Sequence, residues 1–194
     1  RILRHKINAG DVLFIDQHLS ETAELLHNKN LPQVDIAVLE VAAIESDGSI
    51  VPTTSVGNSA TFAALAKQVI LEVNTAIPVT IKGIHDIYQA EDYPRRNVIP
   101  IVAPENKIGR KTIPLDASKV VGIVFTNELD SPADIAEPDT KTTAIAKHIL
   151  QFFENEVALG HLSESLMPLQ AGIGKVANAV LTGFIHSKFR NLTM

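Results

Sequence analysis

The sequence predicts an α/β protein with a mainly parallel sheet and flanking helices. Short apolar runs rich in β-branched residues alternate with segments of helical periodicity, and this alternation continues as far as Thr126. The composition agrees, because a chain of 194 residues that are 45% hydrophobic is able to bury a sizeable core. We therefore expect strands that are covered by the helices lying between them in sequence.

The first strand–helix–strand unit spans residues 11–44. Its two apolar runs are DVLFID (11–16) and VDIAVLEVAAI (34–44), and both predict strands. Between them, a polar segment with Glu21, Glu24 and His27 predicts a short helix.

A second unit follows directly. NSATFAALAKQ (58–68) predicts a helix with an N-cap at Asn58 or Ser59, and VILEVN (69–74) predicts the next strand. Such a repeat of strand and helix is typical of parallel sheets.

From 77 to 115 the pattern is weak and five prolines interrupt it, which predicts long surface loops. We interpret three polar motifs in this region, GIHDIY (83–88), YPRR (93–96) and KIGRK (107–111), as solvated turns. The following run KVVGIVFT (119–126) is almost continuously apolar, which predicts a strand buried at the centre of the sheet.

A domain boundary is predicted within NELDSPADIAEPDTK (127–141), because this stretch is acidic, polar and interrupted by proline. We therefore divide the chain into 1–130 and 131–194. Beyond the boundary, TTAIAKHILQFFENEV (142–157) predicts an amphipathic helix. The residues expected on its apolar face are Ile145, Ile149, Phe152, Phe153 and Val157.

Composition excludes several classes of function. The chain has no cysteine, which excludes disulfides, thiol nucleophiles and Cys-ligated metals. A net charge of −5 without a basic block argues against general nucleic-acid binding, and no apolar run is long enough to span a membrane. No histidine pair has metal-ligand spacing, so we expect no metal. Because the chain begins with Arg1 and ends at Met194 without a terminating signal, we expect it to be a segment of a longer protein.

The stretch PLQAGIGKVANAVLTGF (168–184) is the strongest candidate for a ligand site. Gly172 and Gly174 stand directly before a segment of helical periodicity that begins at Lys175. A helix N-terminus offers unpaired N–H groups and a partial positive charge, so phosphates bind there.

Three interpretations of this stretch compete. A Walker A loop is excluded, because it needs glycine where Leu169 stands and Ser or Thr where Val176 stands. The dinucleotide-binding pattern G-x-G-x-x-A fits with Ala177 as its last member, but it requires a preceding strand, and SLMPLQA is a poor one. The remaining interpretation is an ordinary glycine turn before a core helix.

Two other loops are weaker candidates. PTTSVGNSAT (52–61) is rich in hydroxyls at the start of a helix, and it is either a ligand loop or simply a well-capped helix. Asp16 ends the first predicted strand and His18 lies just after it, but one such pair is usually a surface feature. No G-x-S-x-G motif is present, so a serine hydrolase is poorly supported.

In combination, these motifs resemble one family. PLQAGIGKVANAVL, together with IDQHLSETAELL, DGSIVPTTSVGNSATF, GIHDIY and FTNELDSPADIAEPD in their order, resembles the acetyl-CoA hydrolase / acetate CoA-transferase family of the class I CoA-transferases. The resemblance covers essentially the whole chain. It implies a CoA-transferase-type fold of two tandem α/β domains, with 1–130 as the C-terminal part of the first and 131–194 as the linker and start of the second.

The resemblance implies transfer of CoA between a short acyl-CoA, acetyl-CoA or succinyl-CoA, and acetate through a glutamyl-CoA thioester. The alternatives are an acetyl-CoA hydrolase and, in another class, a truncated non-catalytic module that binds CoA or a nucleotide. The catalytic glutamate is expected just beyond Met194, and Glu40 is expected to be either a neighbour of the active site or structural. The residues implied to contact CoA are Gly172, Ile173, Gly174, Lys175 and Val176, with the Ile173 N–H in the oxyanion hole.

The same resemblance implies the surroundings of the reaction. Coenzyme A is expected as a substrate without a metal, with an acyl-CoA and a small carboxylate as partners. A homo-oligomer, most simply a dimer, is expected in the bacterial cytoplasm or the mitochondrion.

Overall fold

The structure is a computed structural model that describes residues 2–91, 94–130, 137–167, 169–172 and 174–192. The chain divides into two compact units. Unit 1 comprises 1–101 and 107–129, and unit 2 comprises 102–106 and 130–194, each within the described ranges. Each unit has a hydrophobic cluster of its own and is described separately.

Unit 1 is built on a four-stranded sheet. In chain order its elements are α1 (Ile2–Asn8), α2 (Glu21–His27), β1 (Ile36–Ile44), β2 (Ile50–Pro52), α3 (Ser59–Leu65), β3 (Gln68–Asn74) and β4 (Val120–Thr126). The strand order is β2-β1-β3-β4. β3 runs parallel to both β1 and β4, whereas β2 pairs with β1 as an antiparallel hairpin. The predicted α/β class with a mainly parallel sheet is confirmed.

The core of unit 1 lies on one face of β1 and β3. Alternate residues of these strands, Leu39 and Val41 in β1 and Val69 and Leu71 in β3, are almost fully buried. Three small residues of and next to α3, Ala60, Ala63 and Ala66, belong to the same cluster. Burial of each large aliphatic side chain contributes about 1.5–3 kcal/mol, so this face supplies much of the stability of the unit.

Most elements of unit 1 agree with the sequence predictions, but the segment 11–16 does not. It forms no strand, and Leu13, Phe14 and Ile15 are all more than half exposed. An apolar run becomes a strand only where a neighbouring strand accepts its backbone hydrogen bonds, and the sheet pairs none with this segment. The predicted strand is therefore wrong.

The prediction for 119–126 is right about the strand and wrong about its place. β4 lies at the edge of the sheet, and Ile123, Val124 and Phe125 are about half exposed or more. A continuous apolar run is typical of a strand covered on both faces, but the run itself does not specify which elements cover it. Among the described residues, the neighbours of these three side chains cover them only in part.

Unit 2 contains two packed helices, α4 (Thr140–Ala158) and α5 (Lys175–Ile185). The rings of Phe153 and Phe184 stack with their centroids 6.0 Å apart, and Phe189 meets Phe184 edge-on at 5.9 Å. A Cβ at Gly183 would lie 2.8 Å from Leu150 Cδ1, so this glycine permits the close approach of the two helices. The helix predicted from Lys175 is confirmed.

The amphipathic helix predicted for 142–157 is confirmed as α4, but its apolar face is only partly as expected. Phe153 and Val157 pack in the cluster of unit 2, whereas Ile145 and Phe152 are exposed. α4 is 19 residues long, yet none of the described helices is both long and apolar enough to cross a membrane.

Asp139 caps α4 and gives a test of stability against pH. Hydrogen bonds from the backbone N–H and the hydroxyl of Thr142 hold the pKa of Asp139 below its ordinary value of 3.8. A carboxylate with a lowered pKa stabilises the folded chain above its ordinary pKa, and this contribution is lost as the pH falls through the lowered value. We expect Asp139→Asn, which keeps a capping oxygen without the charge, to be less stable than the wild type near neutral pH.

The measurement is urea unfolding followed by circular dichroism, in steps from about pH 6 to about pH 2. The difference between wild type and variant should shrink as Asp139 becomes protonated. A difference that stays constant to the lowest pH would show that the charge does not stabilise α4.

Candidate functional site

A cleft of about 790 Å³ opens in unit 1. It is bordered by α2, by the turn 54–58 and by the loop 84–90, with Arg96 at its margin. Its volume lies within the range of roughly 300–1,000 Å³ that small-molecule sites occupy. The cleft is therefore the candidate ligand site of unit 1.

The turn 54–58 forms one wall of the cleft. It begins after Thr53, the residue that follows β2, and leads directly into α3. Gly57 has φ +46°, and the Ser59 N–H donates to the Val56 carbonyl at 2.9 Å. Asn58 occupies the N-cap position of α3, one of the two predicted, but its side chain makes no capping hydrogen bond.

The loop 84–90 forms the second wall, and it is held by the motif KIGRK. Ile87 and Arg110 exchange two backbone hydrogen bonds of 2.9 Å. The Gly109 N–H donates to the Asp86 carboxylate at 2.5 Å, and a Cβ at Gly109 would collide with the main chain of Ile87. These contacts fix the loop 84–90 against the segment 109–110.

His85 in this loop contradicts the interpretation of GIHDIY as a solvated turn. Its side chain is buried, with 7% of its surface exposed, and Nε2 lies 3.1 Å from the Thr53 carbonyl oxygen. Because a carbonyl oxygen only accepts, Nε2–H is the donor of this bond, and in the neutral imidazole Nδ1 is then an acceptor. Nδ1 is buried and has no hydrogen-bond partner among the described residues.

A polar network lies where the parallel strands end. Asn74, the last residue of β3, is buried, and its amide donates to Glu40 Oε1 and to the Glu128 carbonyl, both at 2.7 Å. The side-chain oxygen Oδ1 of Asn74 accepts from the N–H groups of Ala76 at 3.1 Å and Glu128 at 3.2 Å. The Thr53 hydroxyl donates to the other Glu40 oxygen at 3.1 Å. Glu40 is thus engaged by two donors, which favours its structural interpretation.

The charge around the cleft is mixed. Glu21, Glu24 and Asp86 line it, and the Arg96 guanidinium approaches the Glu24 carboxylate to 3.9 Å. Among the described residues, no three His, Asp or Glu side chains are grouped so that they could hold a metal ion.

The second candidate site is the N-terminus of α5 in unit 2. Gly174 is the N-cap residue with φ +132°, a conformation that side-chain-bearing residues rarely adopt. The first helical hydrogen bond runs from the Asn178 N–H to the Gly174 carbonyl at 2.9 Å, so the N–H groups of Lys175, Val176 and Ala177 have no partner within the helix.

The structure describes four of the five residues expected to contact CoA. Gly172, Gly174, Lys175 and Val176 are exposed at this helix start, while Ile173, the expected oxyanion-hole residue, lies outside the described residues. Beside them runs an apolar groove of about 270 Å³, lined by Gly172 and Val176 among others.

The dinucleotide-binding interpretation is not supported by the elements that precede α5. That motif needs a strand immediately before the first glycine. Between α4 and α5 the described residues, 159–167 and 169–172, contain no strand. The glycine turn before α5 is therefore not the turn of a strand–turn–helix unit.

Sequence reasoning missed two buried polar residues of unit 1, His85 in the cleft wall and Asn74 in the polar network. The available signal for His85 was the isoleucines at 84 and 87, because apolar neighbours indicate a loop packed against the protein rather than a solvated turn. Asn74 gave a weaker signal, since an amide at the end of a strand is equally typical of a turn.

The comparisons with known proteins agree with one another. A family model described as the acetyl-CoA hydrolase/transferase N-terminal domain matches residues 1–125. The chain therefore belongs to the acetyl-CoA hydrolase/transferase family. Its relatives include a succinyl-CoA:acetate CoA-transferase of Clostridium kluyveri, 41% identical over 191 residues that cover 98% of this chain and 36% of that protein. An acetyl-CoA hydrolase of Saccharomyces cerevisiae is 42% identical over 198 residues, covering 97% of this chain and 37% of that protein.

Solved structures show the same fold. RipA from Yersinia pestis superposes with a TM-score of 0.57 at 17% identity, covering 93% of this chain and 33% of that one. A 4-hydroxybutyrate CoA-transferase from Porphyromonas gingivalis superposes with a TM-score of 0.53 at 20% identity, covering 90% and 34%. The chain spans about a third of the length of these relatives and solved structures.

Asn74 offers a test of the polar network. Asn74→Ala removes both donors and the acceptor of a buried amide and takes its hydrogen bonds from the half-buried Glu40 and from the main chain of Glu128, which should cost about 1–3 kcal/mol. Urea unfolding of unit 1 measures this loss. Asn97→Ala, at an exposed position, is the control and should change stability by less than about 0.5 kcal/mol. Equal effects of the two substitutions would contradict a supporting role for the network.

Proposed function

We propose that this chain is the part of a CoA-transferase that supplies one wall of the CoA site, in an enzyme that moves CoA between a short acyl-CoA and acetate. The single observation that carries the proposal is the 41% identity, over almost the whole chain, with a succinyl-CoA:acetate CoA-transferase. In this mechanism a glutamate carboxylate attacks the acyl-CoA thioester and expels the CoA thiolate, which leaves an acyl-glutamyl anhydride. The thiolate then attacks the glutamyl carbonyl of the anhydride, which releases the first carboxylate and gives a glutamyl-CoA thioester. The second carboxylate takes CoA by the reverse of these two steps. The resemblance assigns the glutamate to the continuation of the chain after Met194.

The start of α5 supports the assignment of the CoA-contacting residues. Its open N–H groups and the positive end of the helix dipole suit an anion, such as a CoA phosphate or the oxyanion that forms at the thioester carbonyl. We assign Gly172, Ile173, Gly174, Lys175 and Val176 to this contact, with the Ile173 N–H as the oxyanion donor. One such donor contributes about 10²–10³ in rate.

The two units fit this assignment. We assign unit 1 to the first CoA-transferase domain, because the N-terminal-domain model matches 1–125, and unit 2 to the start of the second. A homodimer in the bacterial cytoplasm or the mitochondrion is part of the same proposal.

A second function, hydrolysis of acetyl-CoA, has an observation of its own. Relatives named acetyl-CoA hydrolase are as similar to this chain as the transferase is, at 41% identity in Schizosaccharomyces pombe and 42% in Saccharomyces cerevisiae. The two activities differ only in whether a carboxylate or water completes the reaction. Product analysis in the presence and absence of acetate or succinate separates them, since only transfer depends on the acceptor.

The decisive experiment is intact-mass analysis of the full-length protein after mixing with acetyl-CoA. A mass gain equal to CoA, removed by borohydride and mapped to a glutamate, would establish covalent CoA transfer. Tight CoA binding without an adduct would instead favour a non-catalytic binding module.

Gly174 tests the CoA site. Alanine at φ +132° is strained by about 1–3 kcal/mol, so Gly174→Ala should displace the first turn of α5 and raise KM for the acyl-CoA about tenfold or more. Initial-rate kinetics of the full-length protein measure this.

Gly160→Ala is the matched control, because Gly160 also has positive φ, +74°, and a Cβ added at either glycine would meet no described atom within 4 Å. It should lower stability without changing KM for the acyl-CoA. A KM change of the same size in both variants would mean that strain anywhere in unit 2, rather than the α5 start, explains the result.

A further inference from the structure

His85 links the two walls of the cleft in unit 1. The side chain belongs to the loop 84–90, which the bonds between Ile87 and Arg110 hold in place. Its Nε2–H donates across to the carbonyl of Thr53, 3.1 Å away, and Thr53 is the residue from which the turn 54–58 starts. The bond therefore joins segments that lie 32 positions apart in sequence.

Thr53 is held from a second side as well. It is 2% exposed, and its hydroxyl donates to Glu40, whose other oxygen accepts from Asn74. The same hydroxyl oxygen lies 3.4 Å from the Ser55 N–H inside the turn. Thr53 is thus bonded both to the turn and, through His85, to the opposite wall.

An imidazole at position 85 carries a cost in folding stability. Nδ1 is a buried acceptor without a partner in the described part of the chain, and leaving such a group unsatisfied destabilises a protein. A leucine would fill a comparable volume without this penalty, but it would provide no donor for Thr53. The Nε2–H···O bond is therefore the property that the site requires of residue 85.

We propose that His85 is a positioning residue, whose bond to Thr53 sets the separation of the two cleft walls and holds the turn 54–58 in the form that meets the substrate. The kinetic consequence rests on the proposed CoA transfer. The structural consequence, an ordered turn, does not depend on it.

The test uses three variants of the full-length protein. His85→Leu removes the donor at similar volume, and His85→Gln restores an amide N–H that reaches the Thr53 carbonyl. Val69→Ala is the control for general destabilisation, because Val69 is fully buried in the core of unit 1 and does not line the cleft. Hydrogen exchange of a peptide spanning 53–60 and steady-state kinetics with succinyl-CoA and acetate are measured for each.

In His85→Leu we expect exchange in this peptide to accelerate about tenfold, the change that follows from losing one good hydrogen bond. KM for succinyl-CoA or for acetate, whichever contacts the turn 54–58, should rise by a similar factor. We expect kcat to change by less than about twofold, because a disordered wall weakens substrate binding rather than the chemical step. His85→Gln should return both values towards wild type.

Unchanged exchange at 53–60 in His85→Leu would overturn the proposal. So would the same exchange and KM changes in Val69→Ala, which would reduce His85 to an ordinary core residue. If no CoA transfer occurs at all, the proposed function fails, but faster exchange in His85→Leu with recovery in His85→Gln still supports the positioning role.

Discussion

The side-chain amide of Asn74 ties together the carboxyl ends of the parallel strands of unit 1. Its four hydrogen bonds reach Glu40 in β1, the turn after β3 and the main chain just beyond β4. Because the amide uses all its donors and acceptors, it fixes three segments that the backbone ladders alone would leave free to splay apart. Thr53, and with it the hairpin strand β2 and the cleft wall, depends on the same network through Glu40.

The fold was predictable where local pattern and burial coincide. The apolar, β-rich runs at 34–44 and 69–74 predicted β1 and β3, and the inward residues of both strands form the core. The pattern failed where burial depends on a partner. LFI at 13–15 and VF at 124–125 have the composition of buried strand residues, yet the first is unpaired and the second lies on an edge. The composition of a segment shows how apolar it is, but it does not show which elements of the fold cover it.

The candidate sites divide in the same way. The helix start at Lys175 was predictable, because glycine before an apolar period is a local signal that the φ of Gly174 explains. The role of His85 was not, because its partner Thr53 is distant in sequence and only the folded loop brings the two together. The contact assigned to Ile173 rests on family resemblance alone. Local chemistry can be read from a sequence, whereas a side chain bonded across a cleft requires the tertiary structure.

The position of β4 has a consequence for handling the polypeptide. On its outer side, the backbone N–H and C=O groups of β4 have no strand partner in the described part of the chain, and Ile123, Val124 and Phe125 are exposed. Such an edge strand is a template for edge-to-edge pairing between molecules. Lys119 directly before the strand and Glu128 beyond it are the nearest flanking charges, and no charged residue lies within the strand itself. Self-association of the isolated chain should therefore begin at β4, and concentrated stocks will be most prone to aggregate through this strand.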